Sequence, residues 1–186
     1  NKPHPGRGAN VDHPTYGPLW ASGHIGSNDI IFIGTDPVKH PKNAWKVVKK
    51  IQLPGEGGGN LFVKTHPNSQ YIFADRPVHP DRKLQTSIYV IDKDKLEIVK
   101  TIQIPEKYLP SVKVGEKVVE SRGPVHFEFN ADGTEVWTSI WGNKEVASAI
   151  LIYDAKTLEL KSVIEDPRIK TPTGKFNVTN TMKDVY

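Results

Sequence analysis

Apolar residues in this chain come in short runs and in alternation with polar ones, and almost nowhere at helical spacing. Ile30-Ile31-Phe32-Ile33, Tyr71-Ile72-Phe73, Ile88-Tyr89-Val90-Ile91, Glu135-Val136-Trp137 and Ile150-Leu151-Ile152-Tyr153 are β-branched or aromatic stretches bounded by Gly, Pro, Asn or Asp. Such runs predict strands separated by turns, and a helical period over eleven or more residues is hard to find. The pattern therefore predicts an all-β chain.

The strands also repeat. Ser87-Ile88-Tyr89-Val90-Ile91-Asp92 followed by Leu96-Glu97-Ile98 reappears as Ala149-Ile150-Leu151-Ile152-Tyr153-Asp154 followed by Leu158-Glu159-Leu160. Each copy reads as a buried strand, a turn opened by Asp and a polar outer strand. A further strand pair precedes each copy, over residues 62–74 and 127–139, and His13-Pro14-Thr15-Tyr16-Gly17-Pro18-Leu19-Trp20 opens a third copy. Four strands recurring at about fifty to sixty residues are the signature of β-propeller blades. Two full copies and parts of others are too few for a closed ring, which takes roughly four to eight blades, and an open stack leaves strand edges unpaired. The expectation is an arc of a propeller belonging to a longer chain, not a closed ring by itself, with no internal domain boundary. Gly174-Lys175-Phe176-Asn177-Val178 is a candidate closing strand.

Composition narrows the function classes. The 186 residues are 37% hydrophobic and 25% charged, which suits a globular fold, and fifteen prolines with fifteen glycines suit a turn-rich one. The net charge of +4 is mild, and no run of five like charges occurs, so no nucleic-acid partner is expected. Cysteine is absent, which excludes disulfides, thiolate metal sites and the Cys-x-x-Cys-His attachment of a c-type haem on this stretch. No apolar run approaches the roughly 20 residues of a membrane helix, so no membrane partner is expected either.

Several stretches carry candidate chemistry. In His4-Pro5-Gly6-Arg7-Gly8 the flanking Pro and Gly hold a tight turn that projects the imidazole, and Arg7 suits bidentate pairing with a carboxylate. On spacing alone this reads first as an inter-blade turn with two solvated side chains. Gly55-Glu56-Gly57-Gly58-Gly59-Asn60 lacks the Lys and Ser or Thr of a phosphate loop and runs into a strand, so it reads as a flexible lead into a blade. Val125-His126-Phe127-Glu128-Phe129 alternates with period two, placing His126 and Glu128 on one face. Two such groups do not make a metal site, and no metal is expected. His66 reads as structural, and Trp20, Trp45, Trp137 and Trp141 as blade packing. Asn177-Val178-Thr179 is a glycosylation sequon in form only, and no nucleophile elbow supports a hydrolase.

Taken together, His4-Pro5-Gly6-Arg7-Gly8-Ala9-Asn10, Leu61-Phe62-Val63-Lys64-Thr65-His66-Pro67-Asn68-Ser69 and Thr171-Pro172-Thr173-Gly174-Lys175-Phe176-Asn177-Val178 resemble the dissimilatory cytochrome cd1 nitrite reductases. Gly34-Thr35-Asp36-Pro37 and Asp132-Gly133-Thr134-Glu135-Val136-Trp137 add to the likeness, which covers essentially the whole chain. The resemblance implies the C-terminal blades of an eight-bladed propeller that holds haem d1 and its iron and reduces nitrite to nitric oxide. It implies His4 as a distal residue that binds the anion and donates a proton, Arg7 near the cofactor carboxylates, and Phe62 lining the pocket. Thr173 and Gly174 would pass the macrocycle edge. His126 stands where the family pattern leads one to expect a Gln beside the cofactor, and residues 106–123 form a longer stretch than the pattern has. The resemblance further implies a periplasmic homodimer with haem c on a separate N-terminal domain. Its electron donor would be a small c-type cytochrome or cupredoxin. Residues 1–186 alone would then be inactive, and a haem d1 biosynthesis or carrier propeller is the alternative.

Overall fold

Each repeated unit is a four-stranded antiparallel meander. A computed structural model of the chain describes residues 2–4, 8–169, 176 and 178. Its first sheet holds β1 (Ala9–His13), β2 (Gly17–Gly23), β3 (Asp29–Gly34) and β4 (Val47–Gln52) in that order. The second holds β5 (Val63–Thr65), β6 (Tyr71–Ala74), β7 (Ser87–Asp92) and β8 (Glu97–Gln103), with a one-turn helix α1 (Arg82–Gln85) between β6 and β7. The long stretch 106–123 holds a 3-10 turn and an exposed hairpin, β9 (Ser111–Val114) and β10 (Lys117–Glu120). The third sheet holds β11 (Pro124–Phe129), β12 (Glu135–Ile140), β13 (Ala149–Asp154) and β14 (Leu160–Glu165).

The chain is thus all-β in its architecture, and its sheets are propeller blades. The sequence pattern separated two complete units, whereas the described residues hold three. The stretch at His13-Pro14 is the turn between β1 and β2 of a complete first blade. Three blades packed in series do not close a ring.

Two apolar layers join the blades. Val11, Leu19, Ile30 and Phe32 of the first sheet pack on Ile72, Tyr89, Ile91 and Leu96 of the second. Phe73, Ile88 and Val90 of the second pack on Phe127, Phe129, Leu151 and Tyr153 of the third. The middle blade is apolar on both faces because both are covered, which is why β7 is buried throughout and does not alternate. Each such side chain contributes about 1.5–3 kcal/mol by leaving water.

One turn recurs in all three blades. Trp45, Leu96 and Leu158 each precede the outermost strand with φ of 61°, 52° and 63°. Each backbone N–H donates to the carbonyl that closes the previous strand: Gly34, Asp92 and Asp154. Leu96 and Leu158 are buried, each against the preceding blade. Trp45 is 70% exposed, contrary to its reading as blade packing, because no blade among the described residues precedes its own. Trp20, Trp137 and Trp141 are half-buried. No helix of the described residues is long and apolar enough to cross a membrane.

Candidate functional site

The innermost strands of the second and third blades, β5 and β11, border a pocket. It is lined by Gly8, Phe62, Val63, Lys64, His126, Phe127 and Glu128, with about 280 Å³ of open space. Phe62 is its centre. The His4 ring meets it at 6.1 Å between centroids and 72° between planes, and the His126 ring at 5.1 Å and 86°. The structure therefore brings three of the expected site residues together, with His4 and His126 both against the Phe62 ring. Arg7, Thr173 and Gly174 lie outside the described residues, as does most of the candidate closing strand and its sequon.

His4 is placed by backbone pairing. Its N–H donates to Gly23 O at 3.0 Å, and Ile25 N–H donates to Lys2 O at 2.8 Å, so residues 2–4 run beside the end of β2. The ring reaches Leu61 O through Nδ1 at 2.5 Å. A carbonyl only accepts, so Nδ1 carries a hydrogen and Nε2 is the atom left for proton exchange.

His126 is placed at a cost. Pro124 and Val125 pair with Ile140 and Ser139, then Phe127 pairs with Thr138, so His126 is an inserted bulge residue with φ of 62°. A non-glycine residue in this region costs about 1–3 kcal/mol and persists only where its surroundings hold it. Regular alternation does not describe this strand, although its consequence stands. His126 Nε2 lies 2.7 Å from Glu128 Oε1, and the other carboxylate oxygen lies 3.5 Å from Lys64 Nζ. Burial pushes the Glu128 carboxyl up, but the hydrogen bond from His126 and the charge of Lys64 outweigh it and hold the group below its ordinary range. His126 Nε2 also lies 3.2 Å from Phe176 O, and its Nδ1 is buried without a hydrogen-bond partner.

Asp75, just beyond β6, connects these residues. Its Oδ1 accepts from Leu61 N and Phe62 N, both at 2.9 Å, and its Oδ2 accepts from His126 N at 3.1 Å. One fully buried carboxyl therefore holds the carbonyl partner of His4, the backbone of Phe62 and the bulge of His126. Burial pushes its pKa up to about 7 against the pull of those donors. Between the ordinary value of 3.8 and about 7 the folded protein keeps a proton that the unfolded chain has lost. This group's contribution to stability is complete below that window and fades as pH rises through it. The unfolding midpoint in urea should fall between about pH 4 and 7, and Asp75→Asn should flatten that slope; an equal slope in the variant would refute the assignment.

Arg76, the next residue, is fully buried and donates to four backbone carbonyls: Nε to Gly58 at 2.9 Å, Nη1 to Pro54 at 2.6 Å, and Nη2 to Glu56 at 2.9 Å and Gly57 at 2.6 Å. His79 Nε2 adds a bond to Glu56 O at 2.9 Å. The glycine-rich stretch read as a flexible lead is thus wrapped around a guanidinium, and its glycines serve this close approach. A Cβ on Gly59 would lie 2.8 Å from His79 N, and its φ is 101°. Asp75 and Arg76 escaped the sequence reading, although two ionisable residues directly after an apolar strand were a signal. His66 is structural as expected, its Nδ1 accepting from Asn68 N at 3.1 Å and its ring packing on Phe129.

Known proteins share this chain's pattern. The family model described as the cytochrome D1 heme domain matches residues 1–181. A nitrite reductase of Stutzerimonas stutzeri is 47% identical over 192 residues, which take in 99% of this chain and 33% of that protein. The chain therefore spans about a third of the length of that curated relative. Among solved structures, the dihydro-heme d1 dehydrogenase NirN in complex with DHE superimposes with a TM-score of 0.63 at 25% identity, over 87% of this chain and 28% of that one. With a family model matched over nearly its whole length, the chain belongs to the cytochrome D1 haem domain family.

Proposed function

We propose that this pocket forms part of a haem d1 site at which a longer polypeptide, a periplasmic nitrite reductase, converts nitrite to nitric oxide. The observation that carries this reading is the convergence of His4 and His126 on Phe62 beside an open pocket. The residues present fit the cofactor in kind. Phe62 and Val63 offer an apolar wall for a flat ring, Lys64 suits an acidic periphery, and the unpartnered Nδ1 of His126 is a buried polar atom left for a polar group of the ring. In this reading Arg7 pairs with carboxylates of the tetrapyrrole, and Thr173 and Gly174 pass its edge. Haem c on a further domain, a small donor protein and a homodimeric assembly belong to the same proposal.

The reaction consumes nitrite, one electron and two protons, and gives nitric oxide and water. When bound, haem d1 supplies an iron that takes up the anion and delivers the electron. The chain supplies orientation and protons. With Nδ1 of His4 fixed on Leu61 O, the protonated ring presents Nε2–H, which holds an anion by a charged hydrogen bond and gives up that proton. Phe62 packs against the imidazole in a T-shaped contact.

A second reading, an enzyme or carrier acting on haem d1 itself, is favoured by His126 in place of Gln and by the likeness to the NirN structure. One experiment separates the two. The full-length protein loaded with haem d1 is expected to show its absorption spectrum and to release nitric oxide from nitrite with a reduced donor, while residues 1–186 alone stay inactive. Haem uptake with oxidation of dihydro-haem d1 and no nitric oxide would favour the second reading, and absence of haem uptake would defeat both.

A further inference from the structure

Asn60, which closes the glycine-rich stretch, is buried and has no part in the reading above. Its Nδ2 donates to Asp75 O at 2.7 Å and to Phe62 O at 3.1 Å, and Asp75 Oδ1 lies 3.4 Å away. These partners all accept, so the amide is fixed in one orientation and its oxygen is turned elsewhere. That oxygen is buried without a hydrogen-bond partner, a condition that calls for an explanation. It packs on Gly23, where a Cβ would fall on the oxygen itself. Gly23 ends β2, and its carbonyl accepts from the N–H of His4.

The backbone around this contact forms a short ladder. Gly59 N and Asn60 N donate to the carbonyls of Ile25 and His24 at 2.9 and 3.3 Å, while residues 2–4 pair along residues 23–25 as well. His4 is thus held twice. Leu61 O, on a residue whose N–H is fixed by Asp75, holds the ring, and Gly23, backed by Asn60, holds the backbone. From these contacts we infer that Asn60 is a positioning residue of the site. Together with Asp75 it sets where the His4 ring stands beside Phe62, and through that ring how firmly an anion is held. The inference rests on the reading of His4 as the anion-binding group.

The rival is a purely structural staple between the lead of β5 and the residue that follows β6. A double-mutant cycle separates the two. It reads the nitrite affinity of the full-length, haem-loaded protein without a reductant, where the anion shifts the cofactor absorption band and is not consumed. Asn60→Ala removes the amide, and Gly23→Ala displaces its oxygen from the other side. Each variant is expected to take up haem as wild type does and to bind nitrite about 10-fold more weakly, the lower end of the usual effect of losing an orienting partner. In a His4→Ala background the same substitutions should change the affinity by less than about twofold, because the ring they place is gone. Equal losses in both backgrounds, an unchanged affinity in the single variants, or failure of both variants to take up haem would each overturn the inference. An affinity that His4→Ala itself leaves unchanged would instead defeat the reading of His4 as anion binder, and the inference with it.

Discussion

Replacing His4 with alanine is expected to lower nitrite turnover of the full-length, haem-loaded protein by about 10²–10⁴-fold, the usual worth of a positioned general acid. The expectation follows from how the ring is held. Leu61 O fixes Nδ1, Asp75 fixes Leu61, and the ring meets Phe62 in a T-shaped contact, so Nε2 is delivered in one orientation. Alanine removes the proton and the anion contact together, whereas His4→Gln keeps a neutral donor and should restore part of the affinity for nitrite but little of the rate. A nitric oxide electrode measures both. A loss below about threefold in the alanine variant would show that His4 does not supply the proton.

The second large effect is on stability. Arg76→Met keeps most of the side-chain volume but removes four hydrogen bonds to backbone carbonyls, of which, among the described residues, only Glu56 O keeps a second partner, His79 Nε2. The loop from 54 to 57 is exposed, so its freed carbonyls can turn toward water, and the cost should be about 2–4 kcal/mol. Urea unfolding gives this as a lowered midpoint. Arg76→Lys should recover only a small part, since one ammonium cannot span the fork that a planar guanidinium fills. An unchanged midpoint in the methionine variant would mean that the loop holds its shape without the cation.

The blades were legible wherever a strand is buried on both faces, because an unbroken apolar run such as Ile88-Tyr89-Val90-Ile91 has little other reading. The first blade was only half legible. Its innermost strand, Ala9–His13, mixes small and polar residues, and its outermost, Val47–Gln52, is mostly wetted, so neither announces itself. In the site, the alternation around His126 correctly paired it with Glu128. The bulge stayed hidden because a histidine carries no sign of a left-handed backbone as a glycine would. Asp75 was invisible for a different reason: its backbone N–H donors come from residues 13, 14 and 51 positions away, so its role exists only once the blades are stacked.

Trp45 has a practical consequence. It occupies the corner that Leu96 and Leu158 use to seal one sheet against another, yet water reaches 70% of its surface. The half-buried Trp20, Ile31 and Ile33 and the wetted Val47 lie on the same blade. An exposed indole on a blade that carries such residues makes an adhesive edge. Expressed by themselves, these 186 residues present that edge to one another, so association through it would govern their solubility whatever the pocket does.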